Sequence, residues 1–326
     1  MKQTKISRVA VLLSLCLLLG GLAVCGTACA DTPHPTTTDG VTKIICTNFA
    51  GLDFCRSLLS HYTEEGGEGR VELSMLGKEG QDMHSFEPSA ADIIALSTAD
   101  VVISTGAETW LDAALSASGN TEVVRVTMMQ VCDTIEEHHD HEHDHDHGED
   151  DCGLIGQDEH VWLSVKNAML ITIAIAESLC TVDADNAAAG EAATDLYLGE
   201  LVALRADFIA MMEIANRDCV VVADRNPFAY LFRELGLTAE AAFPGCSSET
   251  SASFETQTRL VETTRALGLS YIFVMEGSNA TVAEAVASMT DTEILTLDSL
   301  QVVTDMDKTY IGAMRANLEN LKKALQ

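Results

Sequence analysis

Residues 187–218 read AAAGEAATDLYLGELVALRADFIAMMEIANRD, and this stretch predicts one long helix with an apolar face. At a rise of about 1.5 Å per residue, a continuous helix here would be about 45 Å long. The stretch lies between two sets of shorter strand-like and helix-like segments. We therefore expect it to form a rigid connection between two lobes.

Short apolar runs alternate with helical spacing on both sides of this helix. Strand-like runs occur at 41–47, 71–76, 101–105 and 122–127 before it, and at 219–224, 237–243, 271–276 and 293–300 after it. Alternating strands and helices predict an α/β protein, here with two lobes that each hold a mainly parallel sheet flanked by helices. The expected divisions are an N-terminal lobe at 41–182, a linking helix at 183–217 and a C-terminal lobe at 218–326.

Length and charge narrow the classes of function. The chain has 326 residues, a length typical of about two domains, and a formal net charge of −31. Such an acidic protein is not expected to bind nucleic acid, whose phosphates require basic surfaces. A cation is a better match as the bound species.

Residues 1–28 predict a lipoprotein-type signal peptide, because the basic MKQTKISR precedes the apolar VAVLLSLCLLLGGLAV and a small-residue end. The small Ala28 makes Cys29 the expected lipidated residue, with Cys25 as the alternative. An ordinary cleaved signal peptide is the other interpretation. The Pro- and Thr-rich segment 29–40 is expected to tether the folded part to the outer face of the cell membrane.

Residues 133–156 contain a run of histidines alternating with aspartate and glutamate, which cannot bury a core and predicts a mobile loop. The histidines are His138, His139, His141, His143, His145 and His147. Imidazole suits Zn, Cu and Ni, and carboxylates extend the range toward Mn. We expect an auxiliary metal-collecting loop of low selectivity, with an unused low-complexity segment as the alternative.

Two more histidines stand in phrases that predict an ordered position. His160 lies in DEHVWLS, where neighbouring apolar residues would fix the direction of its imidazole. His84 precedes a helix whose expected cap is Ser89, with Asp92 three residues later. That place between strand and helix is where open α/β sheets bind ligands. A purely structural histidine is the alternative for His160.

Seven cysteines follow residue 45, and this odd number leaves at least one outside any internal disulfide. Cys132 and Cys152 flank the histidine-rich segment and could close its base in an oxidising compartment. No CxxC spacing occurs, so a zinc ribbon is not supported.

Several phrases, taken in order, resemble one protein family. They are GQDMHSFEPSAADI, VVISTGAETWLD, the histidine-rich insertion, and DEHVWLS followed by KNA. Together they resemble the metal-binding solute-binding proteins of zinc and manganese ABC importers, of the cluster A-I type. RNPFAY, AAFPGCSSETSASFET and MEGSN resemble a Firmicutes-type subgroup. The resemblance implies two α/β lobes joined by a long helix, a metal between them and delivery to a membrane permease.

The resemblance also implies a set of ligands. His84 and His160 match the two histidine ligands of the N-terminal lobe, and Asp298 in LTLDSL matches the acidic ligand of the C-terminal lobe. Where most members have His or Glu, this chain has Arg225 in RNPFAY. Its guanidinium has no lone pair to give a metal.

Arg225 has two expected consequences. It would stand behind the ligands and pair with an acid such as Glu249, Glu276 or Asp298, with a plain interlobe salt bridge as the alternative. The missing fourth donor would come from Glu249 or Cys246.

The ligand types favour zinc. Two imidazoles and a carboxylate suit tetrahedral Zn²⁺, whereas Mn²⁺ prefers more oxygen ligands. We expect a monomeric, extracytoplasmic Zn²⁺ receptor that serves an ABC transporter permease, with a Mn²⁺ receptor as the alternative. A surface adhesin or metal buffer and a metal-dependent hydrolase are further alternatives. No GxSxG or paired-acid motif occurs, so we do not expect an enzyme.

Overall fold

A computed structural model describes residues 40–67, 70–81, 85–136, 156–247 and 251–326. The strands in these ranges are β1 Val41–Cys46, β2 Arg70–Met75, β3 Val101–Ser104, β4 Val124–Thr127, β5 Cys219–Asn226, β6 Thr238–Pro244, β7 Tyr271–Met275 and β8 Glu293–Leu297. The α-helices are α1 Phe49–Glu64, α2 Ala90–Leu96, α3 Leu111–Ser118, α4 Val165–Val182, α5 Ala187–Ile214, α6 Ala229–Leu235, α7 Phe254–Ala266, α8 Thr281–Thr290 and α9 Tyr310–Leu325. Short 3₁₀ turns lie at Met128–Val131, Val161–Leu163 and Ala184–Asn186.

Each lobe of the described chain holds a four-stranded parallel sheet. The N-terminal order is β2-β1-β3-β4 and the C-terminal order is β6-β5-β7-β8. Helices cover the faces of parallel sheets, so their central strands are apolar throughout, as in VVIS of β3, which is buried at every position. The predicted fold class is confirmed, and the exact divisions between the lobes remain a prediction.

The helix starts follow the local sequence. Ser89 caps α2 with its hydroxyl oxygen 3.3 Å from the amide nitrogen of Asp92, and the Ser89 amide donates to the Asp92 carboxylate over 2.7 Å. This is the capping box expected from the sequence. It fixes where the chain enters α2.

The long helix α5 joins the lobes through one continuous apolar face. It has 28 residues, so it is about 42 Å long at the helical rise. Its buried positions include the regularly spaced Tyr197, Leu201, Leu204, Phe208 and Met211. This face packs on α1, α4 and α9. The helix predicted over 187–218 ends earlier, at Ile214, because the next residue, Ala215, is extended.

α4 is the described helix that is long and apolar enough to cross a membrane, with a mean hydropathy of 1.5. Ala168, Ile171 and Ile175 on this helix are fully buried in the core shared by both lobes. We therefore interpret α4 as a core helix.

The segment 156–164, here called the connector, leads into α4 and is fixed by the second lobe. Within it, the indole Nε1 of Trp162 donates to the carbonyl of Ser299 over 2.9 Å. The hydroxyl of Tyr310 donates to the carbonyl of Trp162 over 2.8 Å. The connector is therefore held at the junction of the two lobes.

Candidate metal centre

His160 is a fully buried histidine of the connector with a fixed orientation. Its Nδ1 and its backbone nitrogen each lie 2.8 Å from Oδ1 of Asp158. The carbonyl of Asp158 in turn accepts a hydrogen bond from the hydroxyl of Tyr230 over 2.6 Å. A carboxylate at Nδ1 favours the tautomer with its proton there, so Nε2 carries the lone pair that a metal would bind.

Three donor-bearing side chains meet at this histidine. Ligand atoms of Glu159, His160 and Cys246 all lie within 4.8 Å of one another. Glu159 and His160 belong to the connector, whereas Cys246 follows β6 in the second lobe. We call these three residues the donor trio. Carboxylate, imidazole and thiolate are all zinc ligands in proteins.

A glycine lets the second lobe approach the imidazole. A Cβ added at Gly245 would lie 3.2 Å from Cε1 of His160, 3.1 Å from the carbonyl oxygen of Asn226 and 3.2 Å from Cα of Pro227. Any larger residue would meet ring and backbone together. Gly245 therefore brings the turn that carries Cys246 directly against His160.

Asp298, at the carboxyl end of β8, is engaged elsewhere and is not a member of the donor trio. Its Oδ2 lies 2.6 Å from Nζ of Lys308, and its Oδ1 accepts from the amide of Leu300 over 2.8 Å. Lys308 also contacts Glu276 over 2.8 Å. The role of Asp298 as a metal ligand remains a prediction.

The pKa of Asp298 is shifted downward, whereas the pKa values of Glu276 and Lys308 are shifted upward. Burial raises the pKa of Asp298, but hydrogen bonds with Glu276, Lys308 and the Leu300 amide outweigh burial, so the pKa of Asp298 is lowered. The pKa of Glu276 is raised, first by its hydrogen bond with Asp298 and then by burial. Burial lowers the pKa of Lys308, but its two acidic partners raise it overall. Asp298 is thus an ionised partner of an ammonium group.

Arg225 lies in β5, beside the turn that holds Cys246. Its Nη1 is 3.4 Å from the carbonyl oxygen of Ser247, a long hydrogen bond. The preceding Asp224 joins β5 to β7 by accepting from the amide of Met275 over 2.9 Å. The expected pairing of Arg225 with an acid behind the metal remains a prediction.

Several residues expected at the site lie outside the described residues. They are His84, Glu249, the six histidines of the 138–147 run, Cys152, and the two candidate lipidation cysteines Cys25 and Cys29. The structure therefore places His160, Cys246, Asp298 and Arg225 from the expected set, and it brings His160 and Cys246 into the donor trio.

A cavity of about 230 Å³ with a mixed polar and aromatic lining lies beside Glu159 of the donor trio. Glu159 lines it together with Glu108, Trp162 and Gln301. The carboxylate of Glu108 is held by the backbone amides of Thr105, at 2.9 Å, and Gly106, at 2.8 Å. Glu159 thus belongs both to the donor trio and to the lining of a cavity that contains a second fixed carboxylate.

Sequence reasoning missed Glu159 and Asp158 as functional residues. Both belong to the phrase DEHVWLS, in which His160 was identified from its apolar neighbours and from the family resemblance. The two acids immediately before the histidine were the available signal, since ligand histidines commonly bind a carboxylate through the other ring nitrogen.

Comparison with known sequences identifies one matching family model and relatives that are named as metal-binding proteins. A family model described as "ZnuA: Zinc-uptake complex component A periplasmic" matches residues 57–324. Zinc-binding protein AdcA of Streptococcus pyogenes is 25% identical over 298 residues, covering 87% of this chain and 56% of AdcA. Manganese-binding lipoprotein MntA of Halalkalibacterium halodurans is 25% identical over 311 residues, covering 93% of this chain and 95% of MntA. The chain therefore spans little more than half of the length of AdcA.

Comparison with solved structures supports the fold. The metal-dependent lipoprotein YcdH from Bacillus subtilis matches with a TM-score of 0.70 at 22% identity. The match covers 87% of this chain and 99% of YcdH. At this level of identity the likeness establishes the two-lobed architecture alone.

Proposed function

Because the chain belongs to the family of ZnuA, the periplasmic component A of zinc-uptake complexes, we propose that it is an extracytoplasmic receptor that binds Zn²⁺ and delivers it to the permease of an ABC importer. The observation that carries this proposal is the meeting of Glu159, His160 and Cys246 at one small volume. Two segments far apart in sequence supply these donors. Such a site can hold a cation and can release it when the segments separate.

The remaining ligands follow from the resemblance. His84 would supply the second imidazole, and Glu249 would be an additional candidate donor. Asp298 would reach the metal after exchanging Lys308 for the metal ion, so its participation depends on breaking that ion pair. Arg225 would act behind the ligands by fixing the turn at Ser247.

Capture would use the cavity beside Glu159 of the donor trio. Glu108 and Glu159 offer a hydrated cation two carboxylates along this cavity, and neighbouring carboxylates lower the energy of a divalent cation before it sheds its water. His160 is already oriented by Asp158, so little side-chain entropy is lost when the metal binds. A small movement of the lobes around α5 would then clamp or release the ion.

The terminal and histidine-rich segments have supporting roles in this proposal. Cys29, or alternatively Cys25, would carry a lipid that anchors the monomer to the outer face of the membrane. The 138–147 run would collect metal ions near the tight site. We propose no catalytic reaction, since the family is one of binding components of uptake complexes.

A Mn²⁺ receptor is the second candidate. The likeness to MntA, which covers 93% of this chain, favours it. Mn²⁺ prefers carboxylates and water. A Mn²⁺ receptor would therefore bind the ion mainly through the oxygen donors Glu159, Glu249 and Asp298. Competition between Zn²⁺ and Mn²⁺ for one site separates the two candidates.

Metal titration tests the proposal. Zn²⁺ added to the metal-depleted protein, in competition with a chromogenic chelator, is expected to saturate one tight site. The double variant His84→Ala/His160→Ala should lose that site because both N-terminal imidazoles are gone. The matched control is His61→Ala, since His61 contacts Glu64 and Glu200 on the helices and is outside the donor trio. A tight site that survives in the double variant contradicts the assignment.

Deletion of residues 138–147 tests the division between the tight site and the collecting loop. We expect the deletion to remove weak additional Zn²⁺ binding and to leave the tight site intact. Loss of the tight site would contradict this division.

Growth of a strain that lacks the whole protein tests the importer role. Failure of this strain to grow under zinc starvation would support that role, whereas unimpaired growth would favour an adhesin or a metal buffer.

A further inference from the structure

We propose that Cys246 is the ligand through which the second lobe holds the metal, and that its thiolate makes the site select Zn²⁺ over Mn²⁺. This inference rests on the receptor function proposed above. It names the donor that determines which ion the receptor carries.

The two ligand places that the resemblance assigns to the second lobe are otherwise engaged. Arg225 stands in one of them and cannot coordinate a cation. Asp298 stands in the other, and its Oδ2 lies 2.6 Å from the ammonium of Lys308. Among the described residues of this lobe, Cys246 is the one whose donor atom lies within 4.8 Å of those of both Glu159 and His160.

The spacing of the donor trio suits a tetrahedral ion. Zinc bonds of about 2.0–2.3 Å at the tetrahedral angle place neighbouring ligand atoms about 3.3–3.7 Å apart. The three donors already lie within 4.8 Å of one another, so movements of about an ångström would complete three bonds. A fourth donor, such as a water molecule, would fill the remaining position.

The protein holds both sides of this arrangement. The imidazole of His160 is fixed by Asp158, and the connector is fixed by its hydrogen bonds to the second lobe. The turn at Gly245 and Cys246 is closed by a hydrogen bond from the amide of Ser247 to the carbonyl of Pro244, at 3.3 Å. The side chain of Cys246 is therefore presented by a defined turn.

Charge and softness both favour zinc in this trio. A thiolate and the Glu159 carboxylate together carry two negative charges, which match a divalent cation beside a neutral imidazole. The Cys246 thiol would lose its proton to solvent as the sulfur–metal bond forms, so metal binding releases one proton from this group. Thiolates favour Zn²⁺, whereas Mn²⁺ favours oxygen ligands.

Cobalt substitution detects the sulfur ligand directly. Co²⁺ added to the intact, metal-depleted protein is expected to produce a near-ultraviolet charge-transfer band from thiolate to metal, and Zn²⁺ should abolish it by displacement. The band should be absent in Cys246→Ser. It should persist in the matched control Cys219→Ser, because Cys219 is a partly buried cysteine at the opposite end of β5.

Affinity measurements give the second readout. Cys246→Ser should weaken Zn²⁺ binding by at least about tenfold, since changes one step further from a metal already cost about 10–100-fold. Mn²⁺ binding should change less, so the preference for Zn²⁺ over Mn²⁺ should fall by at least about tenfold. Cys219→Ser should keep the preference of the unaltered protein.

The outcomes separate this inference from the receptor function. If the unaltered protein binds Co²⁺ tightly without a thiolate band, or the band persists in Cys246→Ser, the thiolate role is contradicted. The receptor function then stands, provided His160→Ala still abolishes tight binding. If the unaltered protein binds neither Zn²⁺ nor Co²⁺ tightly, both proposals fail. The spectrum of the unaltered protein decides the matter even if Cys246→Ser does not fold.

Discussion

Lys308 governs the charge balance at the carboxyl end of β8. Its single ammonium group contacts both Asp298 and Glu276, which would otherwise face each other as two carboxylates. An ammonium group at this place opposes a metal cation at Asp298. Asp298, which the resemblance assigns as a metal ligand, is therefore bound to a lysine in this structure.

Replacing Lys308 tests this charge balance. In Lys308→Met both carboxylates lose their cation, so their folded-state pKa values should rise. A raised folded pKa gives stability below the unfolded pKa and loses it as the pH increases. We therefore expect a destabilisation of about 1–3 kcal/mol near pH 7, and a much smaller one near pH 4.

Chemical denaturation at both pH values measures this effect. The control is Lys323→Met, because the Lys323–Glu293 pair is largely exposed, and its loss should change the unfolding free energy by less than about 1 kcal/mol. A loss of stability in Lys308→Met that does not depend on pH would contradict the explanation.

Sequence reasoning named two members of the donor trio, His160 and Cys246, as candidate ligands. The phrase around His160 was informative because apolar neighbours and a histidine stand together in it. The ion pair between Lys308 and Asp298 could not be predicted, because it joins the end of a strand to the loop before α9 through side-chain geometry alone. Cys246 was one of two candidates for a missing donor, and the approach of its turn to His160 supports it, whereas Glu249 lies outside the described residues.

At the scale of elements, the turn after β6 positions the donor trio. Gly245 gives this turn its close approach to His160 and to the Asn226–Pro227 backbone. Two of the three nearest atoms are backbone atoms, which cannot move aside as a flexible side chain can. The turn thus depends on the absence of a side chain at one position.

Gly245→Ala tests this dependence. The added methyl group should destabilise the protein by about 1–3 kcal/mol through overpacking and should weaken Zn²⁺ binding by moving Cys246 away from His160. The matched control is Gly199→Ala on α5, where an added Cβ meets no atom within 4 Å. That change should stabilise the protein by about 0.5–1 kcal/mol, since alanine is the better helix former. Equal behaviour of the two variants in denaturation and Zn²⁺ titration would contradict the role of the turn.

The elements themselves were largely predictable. Buried runs such as VVIS of β3 are too short for helices, and their alternation with helical segments predicted parallel sheets in both lobes. The capping box at Ser89 could be predicted from the sequence because its hydrogen bonds join residues only three positions apart. The end of α5 was less predictable, because Ala215 leaves the helix although its local sequence favours continuation.

At the scale of the whole molecule, contacts across the lobes join the metal site to the core. Tyr310 at the start of α9 binds the connector through Trp162 and also packs edge-on against Phe54 of α1, with ring centroids 4.9 Å apart. The connector that carries His160 is therefore sensitive to any relative movement of the lobes. Such coupling is what a receptor needs if a permease is to release its metal by separating the lobes.

Anomalous diffraction at the zinc absorption edge, from a crystal of the Zn²⁺-loaded protein, tests most directly whether both lobes hold one cation. We predict a single strong peak in the described part of the chain, about 2.0–2.1 Å from Nε2 of His160 and about 2.3 Å from Sγ of Cys246, with an oxygen of Glu159 also bound. A peak that lies at Asp298 in place of Lys308, with no bond to His160 or Cys246, would contradict this.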